Sequence, residues 1–250
     1  MSTQNGNKWT LHFTLWGIPV EIQPSSWVVL ALLGGAFGIS DGNSLIQVLI
    51  FVAAGMLCIL AHEFGHVLVM RKFTGLTSSI TVAMLGATSS VHASARTRKE
   101  YFLWTLAGPV GGLIPGLAAA LLLGLQAMAP LAGFSFLCCS PFGISMPTSA
   151  EASMVEAIRQ GYLSITALQI YATVMSISVW WTIFNLLPIL PMDGGHLLET
   201  ATNNRKLTTQ IGMVLAGALA LLSISAGMWF GMLIMGYFAY INWQIYQSVR

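Results

Sequence analysis

Of the 250 residues, 56% are hydrophobic and only 7% are charged, with a mean hydropathy of +0.76, which excludes an ordinary soluble domain and points to a membrane protein. Ten basic and eight acidic residues leave a net charge of +2, so there is no basic patch or acidic tail of the kind that marks a nucleic-acid partner. Three cysteines, two of them adjacent at Cys138 and Cys139, are too few for a disulfide scaffold.

Taken in chain order, Met1 to Trp9 is polar and lacks the continuous apolar run of a signal peptide, so the chain is expected to be uncleaved. From residue 9 to residue 23, Trp9, Leu11, Phe13 and Leu15 alternate with polar residues, as do Val20 and Ile22 beyond Gly17-Ile18-Pro19. This predicts an interfacial β-hairpin. Six apolar segments follow, at about residues 26–40, 44–70, 101–127, 164–187, 207–226 and 227–249. With the N-terminus inside, Lys8, Arg71, Lys72, Arg96, Arg98, Lys99, Arg205, Lys206 and Arg250 fall on the inner side and Arg159 alone outside. That asymmetry predicts both termini in the cytoplasm and supports counting the short first segment as a span.

Between the second and third spans, residues 73–95 are rich in Thr, Ser and Gly, and their apolar core from Ile80 to Leu85 is too short to cross a bilayer. A β-hairpin or re-entrant segment beside a functional cleft is expected, because non-helical backbone at membrane depth must be buried in protein or line a wet cavity. In the third span, Gly108, Gly112 and Gly116 recur at intervals of four residues while Pro109 and Pro115 loosen the backbone, a pattern for close helix packing. No long linker or internal repeat interrupts the chain. The expected fold is thus an all-α polytopic membrane protein, a single domain over residues 1–250 with six transmembrane helices and small interfacial or re-entrant β-hairpins.

The chemistry sits in the second span, in CILAHEFGHVLVM. Glu63 is the only formally charged residue within the six segments, and His62 and His66 are the only histidines there. A carboxylate in hydrocarbon costs roughly 2.5 to 3.5 kcal/mol on insertion scales, so such a group marks a function. At i and i+4 the imidazoles share one helix face and can bind a single Zn²⁺, while Glu63, one step around the helix, reaches a metal-bound water.

A catalytic zinc needs a third protein ligand. The best source is FNLLPILPMDGGHLLE, where Asp193 follows Pro188 and Pro191 and precedes Gly194-Gly195, which suits a carboxylate on a rigid, non-helical turn. His196 and Glu199 are weaker candidates in the following helical turn. Cys58, one turn before His62, is more often a packing residue. His12 and His92 fall in polar, interfacial segments, where a hydrogen-bonded histidine is the ordinary case.

HEFGH on an apolar helix followed by NLLPILPMDGG resembles the site-2 protease family of intramembrane zinc metalloproteases. LWGIPVEIQPSSW and LAGPVGG extend the resemblance over most of residues 9–200. It implies one zinc per chain, held by His62, His66 and Asp193, with Glu63 as general base and Asn185 in contact with the substrate backbone. An asparagine often found three residues after the family's Gly-Pro is here Gly112, and that side chain's role does not transfer. Within these 250 residues no PDZ or CBS domain of the kind some members carry is expected.

The expected activity is hydrolysis of peptide bonds in single-span transmembrane substrate proteins, within or near the cytoplasmic side of the bilayer. The expected setting is a bacterial inner membrane. A membrane metal-ion transporter is the alternative, but it calls for ionisable groups along several spans rather than at one level of one helix. A di-iron oxygenase needs more histidines than five.

Overall fold

The computed structural model describes residues 9–76, 78–83, 86–90 and 97–249, of which 86–90 are described by backbone alone. His92, Lys8, Arg96 and Arg250 lie outside the described residues. Among the described residues the fold is mostly helical with a four-stranded sheet, and it divides into two compact units, the first taking residues up to 94 and Val110–Trp181, the second residues 95–109 and those from Thr182 onward.

In the first unit, β1 (Leu11–Leu15) and β2 (Ile18–Ile22) form the expected antiparallel hairpin. Trp16 and Gly17, with φ of 51° and 76°, make the two-residue turn with both φ positive that matches strand twist. Pro19 pairs with Thr14, and β2 meets the next strand only from Val20, so the missing N–H costs no ladder bond. The two hairpins are not separate, as the alternation alone would suggest: β2 runs parallel to β3 (Ser79–Ala83), which pairs antiparallel with β4 (Gly86–Ser90). A parallel pair needs a long crossover, supplied by α1 (Pro24–Leu33) and α2 (Gly42–Thr74). One sheet face is apolar, and Ile18, Val20, Ile22, Ile80 and Val82 pack with Leu30, Ile59, Phe64 and Val67.

Asp41 caps α2 in a capping box with Ser44, whose backbone N–H and hydroxyl hold the Asp41 carboxyl below the usual carboxylate range. Arg71 and Lys72 lie in the last turn of α2 and Gly75 closes it at φ 71°, a cation and glycine ending suited to the helix dipole.

Helix α3 (Arg98–Gln126) contributes its part from Val110 onward to this unit, followed by α4 (Pro130–Cys139), α5 (Thr148–Arg159) and α6 (Ile165–Asn185) up to Trp181. Helices α4 and α5 lie in a stretch expected to connect spans. Apolar Ala150, Met154 and Ala157 give α5 one buried face against Leu123, Leu163 and Met175. The second unit holds the first turns of α3, the end of α6, α7 (Asp193–Thr202), α8 (Arg205–Ser225) and α9 (Trp229–Ser248). Its core joins Ile189, Met192, Ala216 and Met235.

Among the described residues four helices, α2, α3, α6 and α8, are long and apolar enough to cross a membrane. Helix α1 has ten residues, half of what a span needs. Helix α9 has 20 residues, but Tyr237, Tyr240, Asn242, Trp243 and Gln244 dilute its hydropathy. Large apolar side chains face outward, Val214 at 67% and Leu221 at 69% exposure among them, as expected where lipid rather than water is the solvent.

Candidate metal centre

The centre is built on one helix. His62 and His66 are a turn apart on α2, and their Nε2 atoms are 3.1 Å from each other, with ring planes at 83°. A tetrahedral zinc at about 2.0 to 2.1 Å from each nitrogen sets two nitrogens about 3.3 Å apart. The imidazoles are therefore already near the separation a shared metal demands. One ligand atom from each of His62, Glu63 and His66 falls within a 4.8 Å cluster, and His62 and Glu63 are only 3% and 6% exposed. Two imidazoles with a carboxylate are a donor set that catalytic zinc sites use.

Packing fixes this helical turn from two sides. Gly111 of α3 lies so close that a Cβ there would come within 2.5 Å of the Ala61 carbonyl and 3.1 Å of Gly65 Cα. The spacing pattern predicted close helix packing by Gly108, Gly112 and Gly116, and Gly116 does pack closely, against α6; the approach to α2 is made by Gly111, one position before Gly112. Gly116 serves α6: the Ser178 hydroxyl accepts from the Gly116 N–H at 3.1 Å and donates to the Gly112 carbonyl at 2.5 Å. On another side the Trp16 ring meets Phe64 edge-on at 5.4 Å, while Arg71 Nη1 donates to the Trp16 carbonyl at 3.0 Å. The hairpin turn is thus fastened to the residue next to Glu63. Trp181 presents its ring edge-on to His62 at 6.4 Å.

In the second unit Asp193 is the first residue of α7, not part of a non-helical turn, and a carboxylate there benefits from the helix dipole. Asn185 ends α6. His196 is engaged by Tyr101, Nδ1 to hydroxyl 3.2 Å, and Glu199 pairs with Arg205 at 3.1 Å. Cys58 is buried, its thiol 3.9 Å from the Val174 carbonyl, a packing role. His12 lies on the outer face of the sheet, lining a shallow cavity of about 280 Å³ with Glu21 and Thr81.

Residues 50–226 match the profile of peptidase family M50. The chain belongs to peptidase family M50. It is 27% identical over 195 residues to a Synechocystis sp. protein named as a zinc metalloprotease, covering 75% of this chain and 42% of that one. It is 26% identical over 247 residues to a Mycobacterium tuberculosis protein named zinc metalloprotease Rip3, covering 94% and 54%. The chain therefore spans about half the length of these relatives. Among solved structures, the site-2 protease from Methanocaldococcus jannaschii shares the fold, with a TM-score of 0.60, 17% identity and 95% of each chain covered.

Sequence reasoning missed Gly111, Trp181 and the Trp16 to Arg71 fastening, none of which has a local signature. It also passed over Asn242, whose signal was present: an asparagine, able to hydrogen-bond across helices, within an otherwise apolar stretch of α9.

Proposed function

We propose that this chain is a zinc-dependent intramembrane endopeptidase. The observation that carries the reading is the pair of imidazole Nε2 atoms 3.1 Å apart beside a buried glutamate, within a 33-residue apolar helix. His62, His66 and Asp193 hold one zinc; two imidazoles leave a catalytic zinc one protein ligand short, and Asp193 on a rigid Pro-flanked, Gly-followed segment supplies the carboxylate. When bound, zinc contributes Lewis acidity, lowering the pKa of a water and polarising the scissile carbonyl. Glu63 takes the proton of the attacking water and returns it to the leaving amine. Asn185 hydrogen-bonds the substrate backbone near the metal.

The substrate is a single-span transmembrane protein, cut within or near the cytoplasmic side of the bilayer. Its helical amides must first be exposed, and β4, an edge strand among the described residues, offers main-chain groups to an extended segment. We read residues 1–250 as one catalytic domain with six spans, counting α1 and α9, with both termini in the cytoplasm and a bacterial inner membrane as the setting. Metal transport has no observation in its favour: among the described residues one donor cluster is found, on one helix.

The test is Glu63→Gln in detergent or liposomes with a single-span substrate. Zinc is expected to remain stoichiometric while cleavage falls about 10²- to 10⁴-fold, the usual contribution of a general base. Loss of zinc with the substitution, or unchanged cleavage, would overturn the assignment. Proline at Thr88 or Ser89, consecutive residues of which one turns its N–H to the open edge, is expected to impair cleavage of transmembrane substrates without releasing zinc. Unchanged cleavage by both variants would remove strand addition from the scheme.

A further inference from the structure

Asn242 is fully buried in α9, outside the stretch that matches the family profile, and it spends both ends of its amide on one residue. Its Nδ2 donates to the Leu190 carbonyl at 2.7 Å, and its Oδ1 accepts from the Leu190 N–H at 3.3 Å. A further Nδ2 bond to the Phe238 carbonyl at 2.8 Å fixes the amide on its own helix. Such two-point gripping of one residue's backbone holds both its place and its tilt, which a packing side chain does not do.

Space for the amide is provided across the helix pair. A Cβ at Gly212 of α8 would fall 2.4 Å from Asn242 Oδ1 and 3.3 Å from Ile189 Cα. From Leu190 the contact passes directly to the start of α7. A Cβ at Gly195 would lie 2.7 Å from Leu190 N and Ile189 C, and one at Gly194 would lie 2.1 Å from the Leu186 carbonyl oxygen. Backbone rests on backbone, with no side chain to absorb a displacement. Asp193 immediately precedes those glycines.

We infer that Asn242 is a positioning residue for Asp193: it clamps the 186–190 segment, and the two glycines transmit that placement to the first residue of α7. The inference rests on the reading of Asp193 as the third zinc ligand. Groups that orient a metal ligand typically contribute about 10- to 100-fold in metal affinity. Asn242→Leu keeps the side chain's bulk but abolishes the amide. Gly212→Ala leaves Asn242 in the chain and pushes its amide aside.

The experiment titrates zinc ion into the metal-free full-length protein in detergent against a chelator of known affinity. It compares wild type, Asn242→Leu, Gly212→Ala and Asp193→Asn, with thermal unfolding of each metal-free protein measured in parallel. Both clamp variants are expected to bind zinc about 10- to 100-fold more weakly in the folded protein, and Asp193→Asn at least as weakly. Should Asn242→Leu fail to fold, Gly212→Ala carries the comparison. A lowered melting temperature with wild-type zinc affinity in the clamp variants, while Asp193→Asn loses affinity, overturns the positioning role alone. Wild-type affinity in Asp193→Asn overturns the ligand assignment, and the clamp with it.

Discussion

Cys58, His62 and His66 occupy the same face of α2 at four-residue intervals, yet they differ in what their polar atoms meet. The Cys58 thiol faces the Val174 carbonyl of α6, whereas the two imidazoles face each other. Cys58→Ala is therefore expected to leave zinc at one per chain and to cost about 1 kcal/mol of stability, the ordinary effect of a small buried truncation. His66→Ala should abolish stoichiometric zinc. Elemental analysis of both purified variants separates the two roles, and zinc loss in Cys58→Ala would bring the thiol into the ligand set. The motif residues were legible in the sequence because i and i+4 spacing is a property of the helix itself. The partners of His196 and Asn242 were not, since Tyr101 is 95 residues from His196 and Leu190 is 52 from Asn242.

Element packing turns on Gly111. Alanine there would gain about 0.8 to 1.0 kcal/mol of helix propensity over glycine. Against this, its Cβ would stand 2.5 Å from a backbone carbonyl of α2, and overpacking of that kind costs about 1 to 3 kcal/mol. Repulsion wins, and the atoms that must move belong to Ala61 and Gly65, which immediately precede His62 and His66. Gly111→Ala is expected to lower both thermal stability and zinc affinity, whereas Gly217→Ala, where a Cβ meets nothing within 4 Å, should lower neither. Equal behaviour of the two variants would show that α3 does not hold the site in shape. Strands and long helices were legible from alternation and apolar runs. The parallel β2 and β3 pairing was not, because residues some 60 apart carry no shared local pattern, and α4 and α5 were hidden by their short length.

For the whole molecule, the basic residues predict an orientation that labelling can test. In a variant without the three native cysteines, cysteine placed at Arg159 or at Lys206 should react with a membrane-impermeant maleimide from opposite sides of sealed vesicles. Labelling of both from one side would rule out the arrangement in which Arg159 alone lies outside. The sequence by itself determined an apolar chain with several helices fit to cross a membrane and the HEFGH donors on one helix, because composition and helical periodicity are local quantities. Only the tertiary structure decided that two hairpins make a single sheet, that Gly111 comes up against the turn carrying His62 and His66, and that Asn242 grips Leu190. Those outcomes depend on which distant backbones come within hydrogen-bonding or van der Waals reach, and contacts between distant residues are settled by packing the whole chain at once.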